Sequence, residues 1–151
     1  MEKKLAAILA ADVVNYSRLM REDQTRTLDA LRQLRKGLFE PAVAQNSGRI
    51  IKRMGDGWLV EFASVSDAVS CGLRIQDGMR GRQDIQLRIG VHIGEFVVEE
   101  EDVFGDGVNV AARLEQSAEP GGVMISDTAH HSLDEKLAAT FVGGSEMSFK
   151  N

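Results

Sequence analysis

The spacing of apolar residues along this chain changes several times, and each change predicts an element. Residues 5–14 form an almost unbroken apolar run, the pattern of a central strand buried on both faces. Over residues 23–44 the period lengthens, with Leu28, Leu31, Leu34, Leu38 and Val43 recurring near helical spacing among charges. That predicts one amphipathic surface helix, stopped around Pro41 and Asn46-Ser-Gly48. Two β-branched and apolar runs flank Gly55-Asp56-Gly57, which predicts a hairpin over residues 49–62. Its glycines would supply positive φ, and Lys52 would share a strand face with Ile50 and Met54. Ser64-Val-Ser66-Asp then opens a second helix, with Ala68, Val69, Leu73, Ile75 and Met79 as its apolar stripe.

Residues 85–93 alternate strictly and predict a half-buried strand, with Phe96-Val97-Val98 returning as its hairpin partner after Gly94-Glu95. An acidic loop over residues 99–102 and Gly105-Asp-Gly107 lead into a helix near residues 108–117. Beyond Pro120-Gly-Gly122 come a strand at residues 123–126, a short helix at 128–133, a weaker strand near 139–142 and the start of another near Phe149. The order β-α-β-β-α-β-β-α-β predicts a single α+β domain over residues 1–151. Its sheet would be mixed and ferredoxin-like, with helices packed mainly on one face and a final strand cut short.

Composition narrows the function. With 43% hydrophobic and 27% charged residues the chain reads as an ordinary soluble domain. Its net charge of −5 argues against a nucleic acid or an anionic membrane as the main partner. An anionic substrate would need metal cations or a local basic cluster. Cys71 is the one cysteine, which excludes an intrachain disulfide and a thiolate metal site; it reads as a small buried hydrophobe. The apolar run near the N-terminus is too short for a signal peptide and ends in Asp12, and no window spans a bilayer, so a cytoplasmic location is expected. His92 reads as a surface or lightly bonded side chain, and the adjacent His130 and His131 make a poor chelate. Trp58, Met54 and Phe62 read as core.

Candidate chemistry gathers at three places. Asp12 closes a buried strand, where a carboxylate is costly unless paired or bound to metal. Asp56 sits at a hairpin tip with Lys52 four residues before it. Asp102 precedes Asn109 and Arg113, which fall at i, i+4 on one helix face. Each admits a bland reading: a solvated turn aspartate, a snorkelling lysine, a solvated helix face for Asn109 and Arg113 with Arg113 bonded to Glu115 or Glu119.

Together, Asp12-Val-Val-Asn-Tyr-Ser17, Lys52-Arg-Met-Gly-Asp56-Gly and Phe104-Gly-Asp-Gly-Val-Asn-Val-Ala-Ala-Arg-Leu-Glu115 resemble the class III nucleotidyl cyclase catalytic domain, in that family's order and spacing. The resemblance implies that Asp12 and Asp56 hold two divalent cations, Mg²⁺ or Mn²⁺. The turn amides of Val13, Val14, Asn15, Tyr16 and Ser17 would cradle the triphosphate. Lys52 and Asp102 would read the purine as adenine, Asn109 would orient the ribose, and Arg113 would stabilise charge at the α-phosphate. The implied activity is conversion of ATP to 3′,5′-cyclic AMP and pyrophosphate in a homodimer that shares its sites across a two-fold axis. A non-catalytic, dimeric nucleotide-binding module of the same fold is the alternative. A guanylate cyclase is disfavoured by Lys52 and Asp102, and a diguanylate cyclase by Gly-Asp-Gly in place of a glycine-glycine-acid turn. Asn15 stands where the family usually has glycine, the loop at residues 99–101 is short, and Lys150 matches a triphosphate-contacting lysine only loosely.

Overall fold

A computed structural model of the chain describes residues 2–100, 102–143 and 146–149. Strand β1 (Glu2–Val13) is its axis, pairing antiparallel on one side with β3 (Gly57–Phe62) and on the other with β4 (Leu87–Glu99). Around them the strands run β2-β3-β1-β4-β6-β8-β7, with β2 (Arg49–Arg53), β6 (Val123–Ser126), β7 (Phe141–Gly143) and β8 (Glu146–Phe149). Among the described residues only the β4–β6 pairing is parallel, and β5 (Asp102–Phe104) pairs with the far end of β4. The sheet is mixed and the fold α+β, as the alternation of elements predicts.

Because side chains alternate along a strand, β1 divides the interior in two. Ala7, Leu9, Ala11 and Val13 face the larger core, under helices α2 (Gln24–Leu34), α3 (Glu40–Gln45) and α4 (Val65–Met79). Ile8 and Ala10 face a smaller core with Leu59, Phe96, Val103 and Ala111, under α5 (Asp106–Ser117). Most helices thus lie on one face and α5 alone covers the other. Burial begins at Ala7; Leu5, at the strand's start, is 70% exposed.

Several expectations are corrected. The helix expected over residues 23–44 runs with helical backbone from Gln24 to Gln45, as α2, a π-helical turn (Arg35–Phe39) that the pattern does not mark, and α3. A separate short α1 (Tyr16–Glu22) precedes it. Asp23 marks the right start, since its extended backbone ends α1 and its carboxylate accepts from the Arg26 amide. The wide turn carries Phe39 inward, where its ring stacks on Trp58 at 4.1 Å. Phe96-Val97-Val98 does not turn back; it continues β4, a 13-residue strand paired with β1 almost throughout. The true turn lies beyond it, at Glu100 with φ 56°, and leads to β5.

Met54 is 42% exposed rather than core. A bulge between Ile50 and Lys52 also reverses the expected facing in β2. Ile50 lies opposite Val60 of the larger core, whereas Lys52 lies opposite Leu59 of the smaller one. An extra residue flips every side chain beyond it. The last elements, α6 (Asp127–His131), α7 (Glu135–Ala138), β7 and β8, include a helix and a full strand pairing that the sequence pattern leaves out. Lys150 lies outside the described residues. Among the described residues no helix is long and apolar enough to cross a membrane.

Candidate active site

Strand pairing brings Asp12 and Asp56 together. In the β1–β3 register Asp12 lies opposite Gly57, and the Val13 amide donates to the Asp56 carbonyl at 2.8 Å. Gly57 permits this approach through its missing side chain: a Cβ there would lie 2.5 Å from the Ala11 carbonyl oxygen and 3.2 Å from the Asp12 Cβ. Neither Gly55 nor Gly57 takes positive φ, so the glycines serve closeness rather than handedness.

The Asp12 carboxyl is in an unfavourable place for a charge. Burial raises its pKa; a hydrogen bond with Glu115 and the charge of Arg88 oppose that, while the Asp56 carboxylate adds to it. Glu115 is 6% exposed, and burial, reinforced by Asp12, pushes its pKa up to about 8. Arg88 lies opposite Asp12 in the β1–β4 register. Among the described residues, Asp12 Oδ1, Glu115 Oε2 and Arg88 Nε are all buried without a hydrogen-bond partner. The carboxyls of Asp12 and Glu115 thus share one guanidinium, with the Asp56 charge nearby and two carboxyl oxygens left unpartnered among the described residues.

Such a site fits divalent cations. A cation would satisfy Asp12 Oδ1 and offset the repulsion between Asp12 and Asp56. Among the described residues no cluster of three or more His, Cys, Asp or Glu side chains is arranged to hold a metal. The two aspartates would therefore supply the side-chain ligands, and substrate oxygens, backbone and water the rest.

The second set of residues is differently housed. Lys52 Nζ donates to Asp102 Oδ1 at 2.6 Å, and the same oxygen accepts from the Val103 amide. The Lys52 hydrogen bond, with that amide, holds the Asp102 carboxyl below the usual range. Strands β3, β1 and β4 separate β2 from β5 in the sheet, so this contact requires the sheet to curl over the smaller core. The pair opens on a hollow of 580 Å³, lined by Lys52, Glu99, Glu100, Asp102 and Phe104. A larger hollow of 910 Å³, at the end of α4 beside Gln86 and Leu87, contains none of the predicted residues; the carboxylates locate the chemistry better than its size does. Asn109 and Arg113 are exposed on α5. That exposure agrees with a solvated helix face, while among the described residues Arg113 has no ion pair with Glu115 or Glu119. Its charge is felt at His92, whose pKa is lowered first by burial and which shares a 2.7 Å hydrogen bond with Ser126.

The predicted phosphate cradle is narrower than expected. Val13 and Val14 have their amides committed to the carbonyls of Asp56 and Gln86, which leaves those of Asn15, Tyr16 and Ser17. Asn15 adopts the left-handed conformation at φ 55° and ends β1 where α1 begins, the geometry that asparagine tolerates best among non-glycine residues. The sequence reading missed Arg88 and Glu115. Glu115 had a signal: it lies four residues after Ala111 and three before Ala118, both buried, so it falls on the packed face of α5. Cys71 is buried and its pKa is pushed up to about 12 by that burial, which suits an inert core thiol.

Comparison with known proteins identifies the family. The family model described as the adenylate and guanylate cyclase catalytic domain matches residues 2–150. A putative adenylate cyclase 3 of Rhizobium meliloti is 45% identical over all of this chain, which spans 27% of that protein. An adenylate cyclase of Streptomyces coelicolor is 30% identical over 85% of the chain, covering 34% of its own length. The chain thus spans about a third or less of these curated relatives. The crystal structure of an adenylate/guanylate cyclase/hydrolase from Silicibacter pomeroyi superposes with a TM-score of 0.88 at 38% identity, covering 99% of this chain and 98% of the other. With β1, the 54–57 turn and α5 all inside the matched span, the chain belongs to the family of adenylate and guanylate cyclase catalytic domains.

Proposed function

We propose that this domain is an adenylate cyclase, converting ATP to 3′,5′-cyclic AMP and pyrophosphate at two equivalent sites of a symmetric homodimer. The observation that carries the reading is the meeting of Asp12 and Asp56 across β1 and β3, with a buried carboxylate oxygen left without a partner. Divalent cations held by these aspartates would lower the pKa of the ribose 3′-hydroxyl and neutralise charge on the phosphates. The 3′-oxygen bonds to the α-phosphorus as the bond from that phosphorus to the bridging β-oxygen breaks, and the hydroxyl proton passes to solvent.

The chain's own groups do the rest. Asn109 orients the ribose and Arg113 stabilises charge at the α-phosphate; arginine suits that task because its charge is permanent and its donors form a fixed fork. Lys52 donates to adenine N1 and Asp102 accepts from the 6-amino group. Guanine, with O6 and N1–H at those positions, leaves both mispaired, and such a polar mismatch can cost about 10⁴ in specificity. In the free chain the two side chains hold each other at 2.6 Å. Their exposure makes that pair weak, so adenine can replace it.

Exposure of one set and burial of the other supports a shared site. Among the described residues Asn109 and Arg113 stand on the outer face of α5 without side-chain partners, while Asp12 and Asp56 are partly buried beside Glu115. Met54 and Phe104, the one near Asp56 and the other near Asp102, are large apolar side chains left 42% and 53% exposed, as expected of surfaces a second copy covers. Incubating the chain with ATP or GTP and Mn²⁺, then identifying the product, tests the proposal. Cyclic AMP is the expected product; no cyclic nucleotide, or preferential cyclic GMP, overturns it.

A further inference from the structure

We propose that Glu115 is a positioning residue that holds the Asp12 carboxylate of its own protomer ready for cations, from the same helix that offers Asn109 and Arg113 to the neighbouring one. This rests on the shared-site reading above. The α5 helix comes down on β4 at Gly90, where a Cβ would lie 2.4 Å from the Glu115 nitrogen and 2.7 Å from the Ala111 oxygen. That contact seats Glu115 on Gly90, which lies opposite Ala10 of β1, two residues before Asp12. Its buried carboxyl is close enough to that of Asp12 for the two to perturb each other.

A merely structural role explains little here. The surrounding positions of α5, Ala111, Leu114 and Ala118, are small or apolar, and an apolar side chain at 115 would pack with them at no desolvation cost. Instead the position holds a carboxyl that leaves Glu115 Oε2 and Asp12 Oδ1 buried and unpartnered, beside the equally unpartnered Arg88 Nε. Polar groups so arranged orient a ligand-bearing side chain from behind. The outer face of α5 then acts on one site of the dimer, and its inner face on the other.

Two measurements test this. Mn²⁺ affinity is read by electron paramagnetic resonance, without nucleotide, with Asp56→Ala as the control for lost binding. Glu115→Ala should weaken Mn²⁺ binding by roughly tenfold or more, and Glu115→Gln, which keeps the shape and a hydrogen-bonding head, by no more than about threefold. Should Glu115→Ala fail to fold, Glu115→Met carries the same test at similar volume. Mn²⁺ binding as tight as in the unsubstituted chain would overturn the proposal. The second measurement mixes Asp56→Ala chains with Arg113→Ala chains, where the one competent site takes its aspartates from the Arg113→Ala chain. Adding Glu115→Ala to that chain should cost roughly tenfold more activity than adding it to the other. Equal losses would mean that Glu115 only supports α5, and would sink the inference. If the parent mixture itself recovers no activity, the shared-site reading fails, while the Mn²⁺ titration still decides the role of Glu115.

Discussion

The two faces of α5 make the most instructive comparison in the molecule. Its inner face buries Glu115 against Asp12, near Asp56 and Arg88, where burial and like charge raise the pKa of both Asp12 and Glu115. Its outer face carries Asn109 and Arg113 into solvent, and among the described residues Arg113 has no ion pair. One half-site is assembled within the protomer and electrostatically incomplete without cations. The other is a set of donors in search of an anion. On the proposed reading, neither half alone would both bind a metal–nucleotide complex and stabilise its reaction, which would give a physical reason for two copies to work together.

The largest effect should come from breaking the inner face. Asp12→Ala or Asp56→Ala removes a proposed cation ligand and should lower cyclase activity by about 10³-fold or more, read as cyclic AMP formed with Mn²⁺ and ATP. On the outer face, Arg113→Ala should cost roughly 10²- to 10³-fold in kcat with a smaller change in KM, the pattern of a group used in the transition state. The purine pair comes next. Exchanging Lys52 for Glu and Asp102 for a small residue should reverse the preference from ATP to GTP, seen as the ratio of kcat/KM for the two nucleotides. That double substitution should leave Mn²⁺ binding at the aspartates largely intact, which separates the two regions.

A smaller effect concerns stability alone. The Glu115 pKa is raised from 4.5 to about 8 in the folded chain. Between those values the folded state holds a proton that the unfolded state has lost, so stability falls as pH rises through this window. Asp12, shifted in the same direction, adds to the slope just above the ordinary carboxylate range. With metal chelated, Tm should be higher at pH 5.5 than at pH 8.5, and Glu115→Gln should flatten that difference. A Tm profile in Glu115→Gln as steep as in the unsubstituted chain would assign the slope to other groups. Smallest of all, Asn15→Gly should change activity less than about twofold, because Asn15 already adopts the left-handed backbone there.

How far the sequence reveals all this depends on the range of the interaction involved. Local signals read well. Asp23 capping a helix, Ser64 accepting from the Asp67 amide and strand β6 at residues 123–126 are each legible in a few neighbouring residues. Signals that depend on pairing read badly. Gly94 and Gly107 look like turn residues, yet each is small because β4 and α5 touch there, a Cβ on Gly94 lying 3.0 Å from the Gly107 Cα. Lys52 changes face because of one extra residue in β2, which no alternation pattern marks. At the site, the residue types that resemble the cyclase motifs pointed to Asp12 and Asp56, and strand register brings the two together. Arg88 and Glu115 were missed because their importance comes from what surrounds them: Arg88 in an alternating strand looks solvated, and Glu115 had only its place on a packed helix face to mark it.

The most direct test of the central claim is a mixing experiment. Asp56→Ala and Arg113→Ala chains, each close to inactive alone, are combined in equal amounts and assayed for cyclic AMP, with dimer formation checked by mass in solution. Random pairing makes about half of the dimers mixed, each with one competent site, so activity should return to about a quarter of that of the unsubstituted chain. Mixed dimers that form yet show no more activity than the two parents summed would contradict a site shared between copies.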